Sequence, residues 1–491
     1  MAHYGITWDE PVRMRSGLSY LRWLENPSLE SIDAHWQVHG AHPPLHPVLA
    51  GIGHHLFFEK LRVLDALTAF RVPTLLFAFA LFFSFFLFAA ELYGRAIASV
   101  ATLGLLLMPR VFFQGHLASL DYSITALIFC AAFTYWRSDR HAGWMFATGF
   151  ILGLGMLTKI NAAFAYIPIS TLMLLRSRAA LASLFRTRSR ASAVACLRIA
   201  VRHLPLLALP CLMFFALWPW LWLDPIGRAL AFFGYHMTHA DVPVFYLGAQ
   251  YLEAPFHYPF VITLVTIPVV SLVVILIGMA RCHSGRTAPA TLYIAMNALV
   301  PLIVVAMPGI PKYDGARLFL PTFPFLALLL GRGLAALLGR LSQPRARRAA
   351  LGAYALGLVA TAVPAMAKVH PYEFGYFNEL VGGYRGAAAL GFESEYWGSS
   401  YRALIPWLNQ NADKALRVPI GSHLLAVSKR YGELDRSLSL GKRNRYDYLV
   451  LLTRQGMFRE AEWRYFRDET PLFSIGPPGL GLVNVYEFEN P

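Results

Sequence analysis

A chain of 491 residues with 14% charged and 56% apolar residues and a mean hydropathy of +0.47 is too apolar for a soluble multidomain protein, where about a quarter of residues are charged. The net charge of +15 does not indicate nucleic-acid binding, because the arginines sit in short loops between apolar runs and not on a polar face with aromatic readers. Cys130, Cys196, Cys211 and Cys282 lie in apolar runs or basic loops and offer neither a disulfide framework nor a CxxC metal motif.

Segment 1–71 comes first and is polar. Within it, Met14, Leu18, Leu21, Trp23 and Leu24 suit a short helix lying in the membrane interface. Apolar helices are then expected at 72–90, 95–113, 122–137, 143–157, 161–175, 204–223, 258–280, 288–307, 318–338 and 349–366, several of them near the roughly 20 residues that cross a bilayer. Trp218, Trp220 and Trp222 fall at the end of one span, as an aromatic belt would. Segment 367–491 mixes signals: Tyr401 to Asn411 reads as a helix, and Tyr448 to Leu452 and Leu482 to Tyr486 read as strands. The expected fold is therefore an all-α polytopic membrane protein with about ten transmembrane helices visible. A small extracytoplasmic α/β domain closes the chain.

Basic residues alternate from loop to loop. One set of loops carries Arg95, Arg137, Arg140, the arginines of 176–202, Arg281, Arg286 and those of 332–348. The intervening loops hold only Lys159, Arg228, Lys312 and Arg317. Because basic short loops stay cytoplasmic, segments 1–71, 114–121, 224–257, 308–317 and 367–491 are expected outside. A polar segment of this length with no apolar span ahead of it leads to the expectation of one further helix upstream.

The candidate chemistry lies on that outer side. Asp9 and Glu10, beside Trp8, are suited to general-base work or to a divalent cation, or are an ordinary solvated pair. The turn His39 to Pro47 presents His42 and His46 on a proline-stiffened backbone, for a phosphate oxygen or simply for entry into the next helix. Asp121 follows Gln114, Gly115 and His116 in a short link, where a carboxylate is either a helix cap or half of a shared site with Asp9. Lys159, Lys312 and Arg317, with Tyr313 between the last two, either grip an anion such as a lipid phosphate or snorkel to the interface. His236, His239 and Asp241 offer further polar contacts, but the His-x-x-His spacing is not that of a zincin.

Together these residues resemble the GT-C superfamily of membrane glycosyltransferases that use polyprenyl-phosphate sugars. They are most similar to protein O-mannosyltransferases and to bacterial aminoarabinose transferases acting on lipid A. The resemblance rests on Thr7-Trp8-Asp9-Glu10, Pro43-Pro44-Leu45, Leu120-Asp121, Gly153 to Lys159, Arg317 to Phe325, and His370 to Gly383. It implies Asp9 as the catalytic base, assisted by Glu10, with Asp121 orienting the acceptor or a cation. It implies Lys159, Lys312, Arg317 and His42 at the donor phosphate, although His42 stands where relatives often carry lysine. The implied reaction inverts the anomeric carbon and moves a sugar to a hydroxyl of a protein, lipid or glycan. It takes place at the outer face of a bacterial inner membrane, without nucleotide and with a divalent cation left open. A transporter or flippase of a lipid-linked sugar is the alternative, disfavoured because ionisable residues lie at span ends and not at midplane.

Overall fold

The computed structural model describes residues 1–37, 42–187, 189–237, 242–280, 288–411, 413–440 and 445–488. The first segment folds into α1 (Glu10–Glu25), α2 (Ile32–Trp36), α3 (Leu45–Gly53), a π-helical turn (His54–Lys60) and α4 (Ala66–Arg71). The apolar part follows as α5 (Thr74–Tyr93), α6 (Arg95–Leu106), α7 (Pro109–Gln114), α8 (Leu120–Arg137), α9 (Gly143–Met156), α10 (Tyr166–Thr187), α11 (Arg190–His203) and α12 (Pro205–Ala216). Next come α13 (Pro225–Met237), the hairpin β1 (Val244–Tyr246) and β2 (Ala249–Tyr251), then α14 (Tyr258–Thr266), α15 (Val269–Ala280), α16 (Ala288–Ala306), α17 (Thr322–Leu338) and α18 (Pro344–Val369).

Among the described residues, five helical stretches are long and apolar enough to cross a bilayer: Ala66–Tyr93, Ile160–Thr187, Arg190–Ala216, Pro289–Ala306 and Pro344–Val369. Four shorter apolar helices accompany them. Some are short because expected spans are broken. The span 95–113 divides at Leu107 and Met108, ahead of Pro109, whose missing N–H cannot continue the ladder. The span 258–280 divides at Ile267, extended before Pro268. Conversely, the basic stretch after 175 is not loop but the continuation of α10 and the whole of α11. The chain is an integral membrane protein.

At the centre stands α8, buried along nearly its whole length against Phe85 and Phe88 of α5 and Phe325 of α17. Its Phe129 contacts all three rings. Arg137 and Arg140 meet Glu91, while Arg176 and Arg202 meet Asp139. Asp9, Arg317, Asp121 and Lys159 make their own contacts elsewhere.

Two expectations for the first segment change. Helix α1 does not lie free in an interface: Met14, Gly17, Tyr20 and Trp23 are buried. A Cβ on Gly17 would sit 2.3 Å from the Pro47 carbonyl oxygen, and one on Gly51 2.8 Å from that of Gly17, so α1 and α3 touch backbone to backbone. Nor do the three tryptophans form a belt. Trp218 is 1% exposed and packs with Tyr20, Trp23 and Trp36, and only Trp222 is exposed.

The C-terminal part contains α19 (Gly383–Ala389), α20 (Tyr401–Gln410), α21 (Ser422–Arg430) and α22 (Glu460–Asp468). Strands β3 (Leu416–Arg417), β4 (Tyr448–Leu452), β5 (Phe473–Ile475) and β6 (Val483–Glu487) form a sheet ordered β3-β4-β6-β5. β3 and β4 are parallel and the other pairs antiparallel, with Val450 opposite Val485. Leu404, Leu424 and Leu451 share their core with Ile6, Met14, Leu67 and Phe70. The first segment and the C-terminal domain are thus joined by one apolar cluster, which sets Asp9 against both.

Candidate active site

The first turn of α1 divides the two neighbouring acids. Glu10 is fully buried. Its Oε1 accepts from Arg71 Nε at 2.8 Å and from the Ala118 amide at 2.9 Å, and its Oε2 from Arg71 Nη2 at 2.7 Å and from the Thr7 amide at 2.8 Å. Burial opposes its charge, but Arg71 and the two amides outweigh it and hold the carboxyl below its ordinary range. The carboxylate therefore ties the first residues to the loop that precedes α8.

Asp9 faces the other way. Its Oδ2 accepts from Arg317 Nη1 at 2.7 Å and from Arg13 Nη2, one turn along α1, at 3.2 Å. About a quarter of the side chain, 26%, stays exposed. Burial again opposes the charge, yet Arg317 and Arg13 keep this carboxyl well below the usual range, with His42 adding to the effect. Arg13 also donates to the Ala118 carbonyl at 3.1 Å, so α1 grips both sides of the peptide leading to Asp121.

Asp121 is not the cap of α8; Ser119 is, its hydroxyl accepting from the Tyr122 amide. Asp121 instead pairs with Lys159 at 2.5 Å, both largely buried. Burial draws the Lys159 ammonium below its ordinary pKa, opposed by Asp121 and reinforced by Arg317 and Arg13. The 308–317 loop adds Asp314, whose backbone sits at φ +55. Its Oδ2 is 3.3 Å from Arg317 and its Oδ1 accepts from Arg454 at 2.8 Å. The Arg317 guanidinium lies over the rings of Tyr313 and Trp397, at 5.1 and 5.3 Å from their centroids, and that of Arg454 over Trp8 at 4.8 Å.

The expected residues therefore divide. Asp9, Asp121, Lys159, Tyr313 and Arg317 come together, and His42 lies within electrostatic reach of Asp9, its ring 5.7 Å from that of His236. Lys312 does not converge on them: its ammonium donates to Glu253 and to the carbonyls of Met307 and Ile310, each at 2.9 Å. His116 turns to the Phe112 carbonyl at 2.7 Å, its ring tilted against that of Tyr4 at 5.2 Å, and makes no ion pair with Asp9 or Asp121. His239 and Asp241 lie outside the described residues. His46 is buried with Nδ1 2.9 Å from the Ser123 hydroxyl, and burial pushes its imidazole down to about 3.

Sequence reasoning missed Arg13, Asp314 and Arg454. The i, i+4 spacing of Asp9 and Arg13 at a helix start was a readable signal; nothing local marks Arg454, which arrives from the C-terminal domain. A divalent cation does not fit these residues. Among the described residues no three His, Cys, Asp or Glu side chains gather as a ligand set, and Asp9 and Asp121 already face Arg13, Arg317 and Lys159.

The fold and site define a polytopic membrane protein with a cluster of ion-paired acids and cations where helical bundle, first segment and C-terminal domain meet. Residues 41–221, less than half of the chain, match the family described as dolichyl-phosphate-mannose-protein mannosyltransferase. No curated protein matches the chain. Among solved structures, ArnT from Cupriavidus metallidurans in the apo state aligns with a TM-score of 0.50 at 16% identity, over 74% of this chain and 61% of that one. The same protein bound to undecaprenyl phosphate gives 0.49 at 13% identity, over 98% and 94%. The likeness to the apo structure is one of fold.

Proposed function

We propose that this protein transfers a sugar from a polyprenyl-phosphate donor to a hydroxyl acceptor, at the extracytoplasmic face of the membrane. The observation that carries the reading is the Asp9–Arg317 pair within electrostatic reach of the Asp121–Lys159 pair. A carboxylate and a guanidinium in contact supply the two groups this reaction needs, a proton acceptor and a partner for a departing phosphate. The match of 41–221, which contains Asp121 and Lys159, to a family named for a dolichyl-phosphate sugar supports the donor class.

In this reading the acceptor oxygen bonds to the anomeric carbon as the carbon–oxygen bond to phosphate breaks. The electron pair leaves with the lipid phosphate and the configuration inverts. Asp9 takes the acceptor proton, and Lys159 and Arg317 meet the charge growing on phosphate. An acid held so far below its usual pKa is a weak base. Donor phosphate competing for Arg317 relieves that hold, so Asp9 becomes more basic only when donor is bound. Glu10 positions Asp9 through Arg71, Thr7 and Ala118. Asp121 holds Lys159.

The test is transfer from a radiolabelled polyprenyl-phosphate sugar into endogenous acceptors in membranes carrying wild type or Asp9→Asn. Loss of a general base lowers the rate by about 10²–10⁴-fold. Undiminished transfer by Asp9→Asn rejects the base assignment, and no consumption of any lipid-linked donor rejects the activity.

A further inference from the structure

One buried cation takes no part in the pairs described so far. Arg110, in the first turn of α7, is 3% exposed. Its Nη1 donates to the Tyr396 hydroxyl at 3.1 Å and its Nη2 approaches the Tyr376 carbonyl at 3.5 Å, while its guanidinium lies over the rings of Phe377 and Tyr396 at 5.2 and 5.8 Å. Its Nε has no hydrogen-bond partner. No carboxylate of the described residues pairs with it, whereas Arg13, Lys159, Arg317 and Arg454 each have one. Ring faces and one phenol do not replace a counter-charge for a buried guanidinium.

Arg110 is also next to the site. It shares a crevice with Arg317, Gln114 and Tyr396, and the Arg317 Nε there is likewise buried without a partner. Gly315, two residues before Arg317, has φ +63, and a Cβ there would stand 2.3 Å from Arg110 Nη1. Only a glycine lets this loop adopt that backbone and still admit the arginine. The crevice as it stands is too tight for a water molecule, so filling it requires side-chain movement. Around the 314–317 loop, five cations (Arg13, Arg110, Lys159, Arg317 and Arg454) face three carboxylates in contact with them, Asp9, Asp121 and Asp314. Glu393 and Glu395 lie nearby, and burial raises both, Glu393 to about 8. Paired cations and carboxylates around this loop leave Arg110 as the guanidinium with no carboxylate in contact among the described residues, which suits an anion such as a phosphate monoester.

We propose that Arg110 and Arg317 form a two-guanidinium clamp for the phosphate of a lipid-linked ligand, Arg110 remaining without a counter-ion until that phosphate arrives. The clamp rests on the donor class proposed above. A doubly charged product phosphate fills it better than the singly charged diester of the donor, so the clamp favours bond cleavage.

The experiment uses the purified full chain in detergent, with undecaprenyl phosphate, undecaprenol and inorganic phosphate as probes, reading Kd and the thermal shift on binding. Arg110→Gln is expected to weaken undecaprenyl phosphate by about tenfold or more, to leave undecaprenol unchanged, and not to lower the melting temperature of the ligand-free protein. Arg110→Lys, which keeps the charge but not the fork, falls between. Unchanged undecaprenyl phosphate binding in both variants overturns the clamp while leaving the transferase reading intact. A lower ligand-free melting temperature with unchanged affinity also overturns it, because Arg110 is then structural. Binding of inorganic phosphate but not the lipid by wild type, lost in Arg110→Gln, overturns the lipid-linked clamp and leaves Arg110 a site for free phosphate. No binding of either phosphate by wild type rejects both the clamp and the lipid donor.

Discussion

Replacing Glu10 with glutamine separates a positioning acid from a catalytic one. In the native protein its two oxygens receive four donors, two from Arg71 and one each from the amides of Thr7 and Ala118, with both side chains fully buried. Glutamine removes the negative charge and turns an NH₂ group toward two of those donors. Arg71 would keep the carbonyls of Met1, Tyr4 and Gly5 but lose its counter-charge. Leaving a buried ion unpaired costs about 3–5 kcal/mol, a large share of the roughly 5–15 kcal/mol that holds a typical domain. For a chain of 491 residues the apparent melting temperature should fall by about 3–5 °C. Glu10→Gln combined with Arg71→Met removes the unpaired charge but strips the carbonyls of Met1, Tyr4 and Gly5 of their donor, so it should recover only part of that loss. The pH dependence has a definite sign. The folded pKa of Glu10 lies below the unfolded value, so its contribution is complete above that value, about 4.3, and is lost as pH falls through it toward the folded one. Thermal unfolding from pH 3 to 8 reads both effects, and Glu10→Gln should flatten the acid limb. A variant with wild-type stability that nevertheless abolishes sugar transfer would refute the argument and make Glu10 a catalytic acid.

Three other outcomes follow from the same geometry. Lys312→Ala should loosen the 308–317 loop and lower the melting temperature while leaving donor KM within about twofold, because the ammonium is already held by Glu253, Met307 and Ile310; a large rise in donor KM at unchanged stability would restore it to the phosphate site. Gly315→Ala brings both left-handed strain and a clash with Arg110, costing about 1–3 kcal/mol, and thermal unfolding beside wild type measures it. Glu393 has its folded pKa raised to about 8 by burial, with Asp314 and Glu395 adding to the shift against Arg454 and the Gly456 amide. Ionisation in the unfolded chain therefore erodes stability as pH climbs from the unfolded value, about 4.3, toward 8. Glu393→Gln should remove that erosion, and an unchanged pH–stability curve would reject the raised pKa.

Much of this protein is legible from its sequence because local physics decides it. Apolar runs of bilayer length, the alternation of arginine-rich and arginine-poor loops, and the short apolar run Tyr448 to Leu452 are properties of neighbouring residues. They located the spans, the sheet's central strand and the loops carrying Asp9, Asp121, Lys159 and Arg317. What the sequence leaves undetermined is pairing across long separations. Asp9 and Glu10 are adjacent and chemically alike; one pairs with Arg317 and stays a quarter exposed, while the other pairs with Arg71 and is sealed. Arg110 stood hidden inside an apolar stretch until Pro109 broke the helix there, and Arg454 reaches Asp314 only because the C-terminal domain and the first segment share one core. Periodicity and loop charge are encoded within a few residues, whereas a buried charge takes its partner from whatever the packed chain brings within about 3 Å, and that is decided by tertiary structure alone.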